Sequence, residues 1–106
     1  MWKNESELRD HIKKRLEETG HVVRKEVTLH GIRIDLIAEK EEYISQRLDL
    51  GVYFERFRNM TKGIEVKLID HNEVYNAISR CTNLSRFPEL DEVYVAFPKI
   101  YLTDDI

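Results

Sequence analysis

Gly31-Ile-Arg-Ile-Asp-Leu-Ile-Ala38 and, further along the chain, Lys62-Gly-Ile-Glu-Val-Lys-Leu-Ile69 decide how this chain is read. Both are rich in β-branched residues and alternate as strands do, and residues two apart on a strand share a face. Glu65 and Lys67 therefore project together while Ile64, Val66 and Leu68 project the other way. The same reading puts Asp35 on one face, with Ile32, Ile34 and Leu36 on the other. Two carboxylates and an ammonium on otherwise apolar strands are costly unless the charges meet one another, a metal or an open cleft. Laid side by side, these strands would make a cleft site.

Working outward, Asn4 is placed to cap a first helix, with Glu7 as its capping-box partner. Leu8, Ile12 and Leu16 form its apolar stripe, and Gly20 ends it, which predicts a helix over 5–19. Glu5 falls within that stripe and Glu7 nearly opposite, so Glu5 is the acid able to look into a site. His21 to Leu29 reads as a strand, His30-Gly31 as a tight turn, and 32–39 as the returning strand of a hairpin. A third strand follows over 63–69. Asp70, with Glu73, then caps a second helix that carries Val74, Ala77, Ile78, Cys81 and Leu84 on one face until Pro88. A last strand spans 91–97. The order helix, three strands, helix, strand predicts an α/β fold, a mixed sheet flanked by helices, with the third and fourth strands parallel through the intervening helix.

Residues 40–61 are too apolar for a loose loop and read as an insertion of open structure: a helical excursion, an extra strand pair, a subunit contact or a flap that grips nucleic acid. Only aromatic and Arg interleaving speaks for the last of these, and packing against the domain or a second subunit is the plainer expectation. The chain of 106 residues is otherwise one domain, 1–106, with 17 Lys and Arg against 20 Asp and Glu. A net charge of -3 gives no global pull toward nucleic acid, so any such binding needs local basic patches, a neutralising metal or a second subunit. The lone Cys81 excludes an intramolecular disulfide framework and a thiolate zinc cluster, which suits a reducing cytoplasm. No segment reads as a membrane span or signal peptide.

Helix with an acid, hairpin ending near Asp35, then Glu65-Val-Lys67 on the next strand followed by a helix resembles the PD-(D/E)XK nuclease superfamily across about residues 4–97. Within it, Gly20-His-Val-Val-Arg24 and Asp35-Leu-Ile-Ala38 are similar to small archaeal and bacterial Holliday-junction-resolvase-like members. Ile34 stands where the superfamily's name has Pro, and the second helix lacks the Gln of the helicase-associated nucleases, leaving Tyr75 as its one carry-over. The resemblance implies a restriction-endonuclease-like fold and a metal-dependent endodeoxyribonuclease of DNA repair, recombination or defence, with 5′-phosphate products.

On that reading Asp35 and Glu65 bind Mg²⁺ or Mn²⁺ with the backbone carbonyl of Val66. Lys67 orients the attacking water and stabilises the developing charge, acting as base if its proton is loosened, and Glu5 supports a metal-bound water or second ion. Lys13, Lys14, Arg24 and Lys25 are candidate phosphate contacts, although a solvated face explains them as simply. Glu65 and Lys67 alone would be no more than a strand-face ion pair, and Glu5 a helix-dipole acid. Cutting both strands implies a homodimer. A non-catalytic nucleic-acid-binding or scaffold module of the same fold, or an RNA-cleaving enzyme, are the alternatives.

Overall fold

The computed structural model describes residues 2–68 and 71–98, apart from the side chains of 71–74. The first helix, α1 (Glu5–Glu18), starts where Asn4 Oδ1 accepts the Glu7 backbone N–H at 2.8 Å, and Gly20 at φ 91° lets the chain leave it. Strands β1 (Val22–Leu29) and β2 (Ile32–Asp49) pair antiparallel through the His30-Gly31 turn. Its φ values of 50° and 79° are what a two-residue hairpin with right-handed twist requires. Strand β3 (Val52–Val66) returns antiparallel along β2, and α2 (His71–Leu84) leads to β4 (Glu92–Ala96), parallel to β3. The sheet order is β1-β2-β3-β4. The proposed cap at Asp70 lies outside the described residues.

Two core clusters sandwich the sheet. On the α1 side Leu8, Val23, Leu36, Ala38, Ile64 and Val66 are buried, with Ile12 and Leu16 against them. On the α2 side Ile34, Ile37, Leu84 and Leu90 are buried, with Val27, Ile32 and Val93. Gly63 lets that second layer close onto β3, because a Cβ there would sit 2.9 Å from Leu90 Cδ1. Gly63→Val is expected to cost about 1–3 kcal/mol by overpacking, read as a lower denaturation midpoint with unchanged slope.

Three expectations need correction. The strand ends expected at 39 and 63 are not there: of the readings open for residues 40–61 the strand pair forms, β2 and β3 running on together, in unbroken register from Leu36 opposite Ile64 to Arg47 opposite Tyr53, as a two-stranded ribbon tipped by Leu50-Gly51. The polar residues that seemed to end each strand lie on the ribbon's solvated surfaces. Parity also breaks at Asp35, since Ile32 and Ile34 join the α2-side cluster whereas Leu36 joins the α1 side. The cause is local: the β1 and β2 ladder skips the Glu26 and Asp35 level, where Glu26 adopts φ 54°. Finally, Ile78 is exposed, because α2 meets the sheet along the narrower line of Ala77 and Leu84.

Candidate active site

At the end of the sheet remote from the ribbon, β2 and β3 part. Their ladder stops at Leu36 and Ile64, so Asp35 and Glu65 occupy the first unpaired level. The Asp35 carboxylate takes over the missing bond, with Oδ2 accepting the Val66 backbone N–H at 2.8 Å. That bond fixes Asp35 between the strands beside Glu65. Alternation on β3 turns Val66 into the α1-side core and Glu65 away from it.

The resulting cavity, of about 260 Å³, is lined by Asp35, Glu65, Val66, Lys67 and Glu5, so all five residues assigned to the site from sequence meet at one place. Val66 meets the cavity through its backbone, its side chain being buried. Lys67 Nζ lies 4.0 Å from Glu5 Oε1, which draws the ammonium toward the N-terminus of α1.

Three arginines join them that the sequence reading passed over, Arg9, Arg33 and Arg80. Arg9 is held by Glu26 at 2.9 Å, the residue with the unusual backbone, and by Ser6 at 3.3 Å. Arg80 places Nε 3.4 Å from Glu65 Oε1 and donates to the Arg33 carbonyl. A signal for Arg80 was present: it stands three residues after Ala77 and four before Leu84, at the edge of the buried helical stripe. Four cationic and three anionic side chains line the cavity, which is thus locally basic within an acidic chain. Guanidinium groups suit phosphate oxygens by shape and charge.

Glu65 is the electrostatic centre. It is 2% exposed, and its Oε1 is buried without a hydrogen bond. Burial first, and the neighbouring Asp35 charge second, push its carboxyl up to about 7, against the opposing pull of Arg80 and Lys67. A buried oxygen that has a guanidinium at 3.4 Å but no hydrogen bond, beside a second carboxylate, is what a hard cation would satisfy. Among the described residues no three His, Cys, Asp or Glu side chains converge, so the chain offers two carboxylates and a backbone carbonyl. That donor set fits Mg²⁺, which keeps several waters and is commonly held by one or two carboxylates.

Removing the guanidinium should lift Glu65 further and penalise its ionised form. Arg80→Ala is therefore expected to lose about 1 kcal/mol more stability at pH 8 than at pH 5, by thermal unfolding in chelator.

The candidate phosphate contacts lie elsewhere. Lys13 pairs with Glu17 at 3.1 Å, Arg24 with Glu39 at 2.8 Å and Lys25 with Asp10 at 3.1 Å, while Lys14 and Tyr75 are exposed. None of these five lines the cavity. The Cys81 thiol, raised to about 11 by burial and the Glu65 charge, is a poor nucleophile.

Comparison of the chain with protein-family models, curated proteins and solved structures found no match. Fold and site define a mixed α/β protein, a four-stranded mixed sheet flanked by helices, with an acidic pair set among cations at one sheet end. Among the described residues no helix is long and apolar enough to cross a membrane.

Proposed function

We propose that this chain is a small Mg²⁺- or Mn²⁺-dependent endodeoxyribonuclease of the restriction-endonuclease-like, PD-(D/E)XK type. The observation that carries the reading is the meeting of Asp35, Lys67 and Glu65, whose buried Oε1 has no hydrogen bond, in one arginine-rimmed cavity. Hydrolysis of a phosphodiester requires a positioned water, neutralisation of charge on the phosphate oxygens and help for the departing 3′ oxygen. A divalent cation held by Asp35, Glu65 and the Val66 carbonyl supplies Lewis acidity and charge neutralisation there.

The chain's own groups do the rest. Lys67 orients the attacking water and stabilises the negative charge that grows on phosphorus-bound oxygens. Glu5 positions the Lys67 ammonium and supports water at the mouth of the site. Arg9, Arg33 and Arg80 hold the phosphodiester, and Arg80 balances the Glu65 charge. The locally basic cavity answers the objection raised by the acidic net charge. Cutting both strands of a duplex calls for a homodimer.

The test is incubation of plain, branched and single-stranded labelled DNA, and matching RNA, with Mg²⁺, Mn²⁺ or chelator. Metal-dependent DNA products carrying 5′ phosphates are expected. Metal-dependent cutting confined to RNA would reassign the substrate, and binding with no cutting of any member would favour the non-catalytic module.

A further inference from the structure

The ribbon poses a separate question. A two-stranded hairpin is marginally stable alone, yet beyond Glu39 and Thr61 it has neither flanking strand nor covering helix among the described residues. Most of the large apolar side chains exposed among the described residues lie on it, including Phe57 at 69% and Leu50 at 82%. Soluble monomers seldom leave such a patch bare. Val52 stands thirteen positions from Glu65 along extended strand, about 40 Å, so the tip cannot fold over its own cavity.

The occupant can be argued from charge. Residues 40–61 hold four basic and four acidic side chains, no net attraction for a polyanion. One ribbon face carries Glu41, Tyr43, Ser45 and Arg47 from β2 with Tyr53, Glu55 and Phe57 from β3; Tyr43 and Phe57 stack with ring centres 4.9 Å apart, and the Tyr43 hydroxyl donates a hydrogen bond to Glu55. Among the described residues neither Glu41 nor Arg47 has an ion-pair partner.

We infer that this face packs on the same face of a second copy of the chain, the two ribbons antiparallel about a two-fold axis at the level of Ile44 and Arg56. At that level Glu41 meets the partner's Arg47, and the symmetry makes the contact twice. The opposite face, with Arg56 at its centre, would set Arg56 against the partner's Arg56. On the aromatic face Glu55, one level from the axis, lies opposite the partner's Phe57 and not opposite its own copy, so this face alone keeps like charges off the axis. Its three aromatic rings offer about 400 Å² per copy. With the flanking polar chains the face approaches the roughly 800 Å² per partner of a standard interface. The inference names the surface for the dimer, and it stands apart from the chemistry of Asp35 and Glu65.

Sedimentation equilibrium of the full chain in chelator, without nucleic acid, tests it. Wild type is expected to be a dimer at micromolar concentration. Glu41→Arg and Arg47→Glu, both on exposed positions, should each weaken association by about tenfold or more. Mixing the two variants, or combining both changes in one chain, should restore it. A monomeric wild type, a dimer indifferent to both single changes, or variants that neither mixing nor combination rescues would each overturn the interface. A wild-type monomer whose DNA binding is lost in Phe57→Ser would assign the ribbon to nucleic acid instead. Because association is read without substrate, the result is independent of whether the cavity cuts DNA.

Discussion

Lys67→Ala is expected to lower metal-dependent DNA cleavage by about 10³-fold or more while leaving the fold and cation binding in place. Lys67 is half-buried, follows the last residue of β3, and contributes no apolar surface to either core cluster. Its backbone N–H bonds the Ala96 carbonyl whatever the side chain, so the strand end survives substitution. What disappears is the ammonium beside Asp35 and Glu65. Single-turnover cleavage with saturating enzyme separates this from weaker binding, and the loss is expected in the rate at saturation. Lys67→Arg should recover only part of it, because a planar guanidinium cannot replace a compact ammonium at a positioned water. Unchanged cleavage in Lys67→Ala would remove Lys67 from the mechanism.

Glu65→Gln is expected to stabilise the protein in chelator at pH 8 and to abolish its stabilisation by divalent cations. The folded-state carboxyl sits at about 7, above its ordinary 4.5, so between those values the folded chain holds a proton that the unfolded chain has released. Stability from this group is therefore greatest below 4.5 and falls as pH rises through 7, where the buried charge is fully formed. The penalty at pH 8 is on the order of 2–3 kcal/mol. Gln removes the charge at nearly constant volume, and a gain of this size raises Tm by roughly 10 °C in a domain of this length. At pH 4.5 the two proteins should unfold at similar temperatures. With Mg²⁺ or Mn²⁺ the order reverses at pH 8, since the cation rewards an ionised Glu65. A variant less stable than wild type by the same amount at both pH values would show that Glu65 serves packing alone.

The parts of the fold legible in the sequence are those fixed by local chemistry. The Asn4 cap, the Gly20 exit and the His30-Gly31 turn each require a particular backbone that few residues supply. The order of elements and the parallel β3 and β4 pairing followed from them. The ribbon was hard to read because one face is bare and the other is covered only toward Met60: Tyr43 and Phe57 stack on one another rather than on a core, so burial imposes alternation only near its base. At the site, Glu5, Asp35, Glu65 and Lys67 announced themselves as charges on apolar periodicities. Arg9 and Arg33 did not, because their approach depends on the break at Glu26, and Arg80 showed only as a charge at the edge of the α2 stripe, its place at the site depending on where α2 crosses the sheet. The break itself is not written in the pattern, since nothing about Glu26 as a residue type favours a positive φ.

The most direct test is duplex DNA cleavage by wild type and Asp35→Asn, side by side in Mg²⁺ and in chelator. Asp35 accepts the Val66 N–H that replaces the missing ladder bond, and Asn retains an oxygen for that bond while losing the charge for the cation. Cutting by wild type in Mg²⁺ alone, with Asp35→Asn folded yet silent in both conditions, is the predicted result. Cutting that persists in chelator or in Asp35→Asn would contradict a metal-dependent site at Asp35 and Glu65.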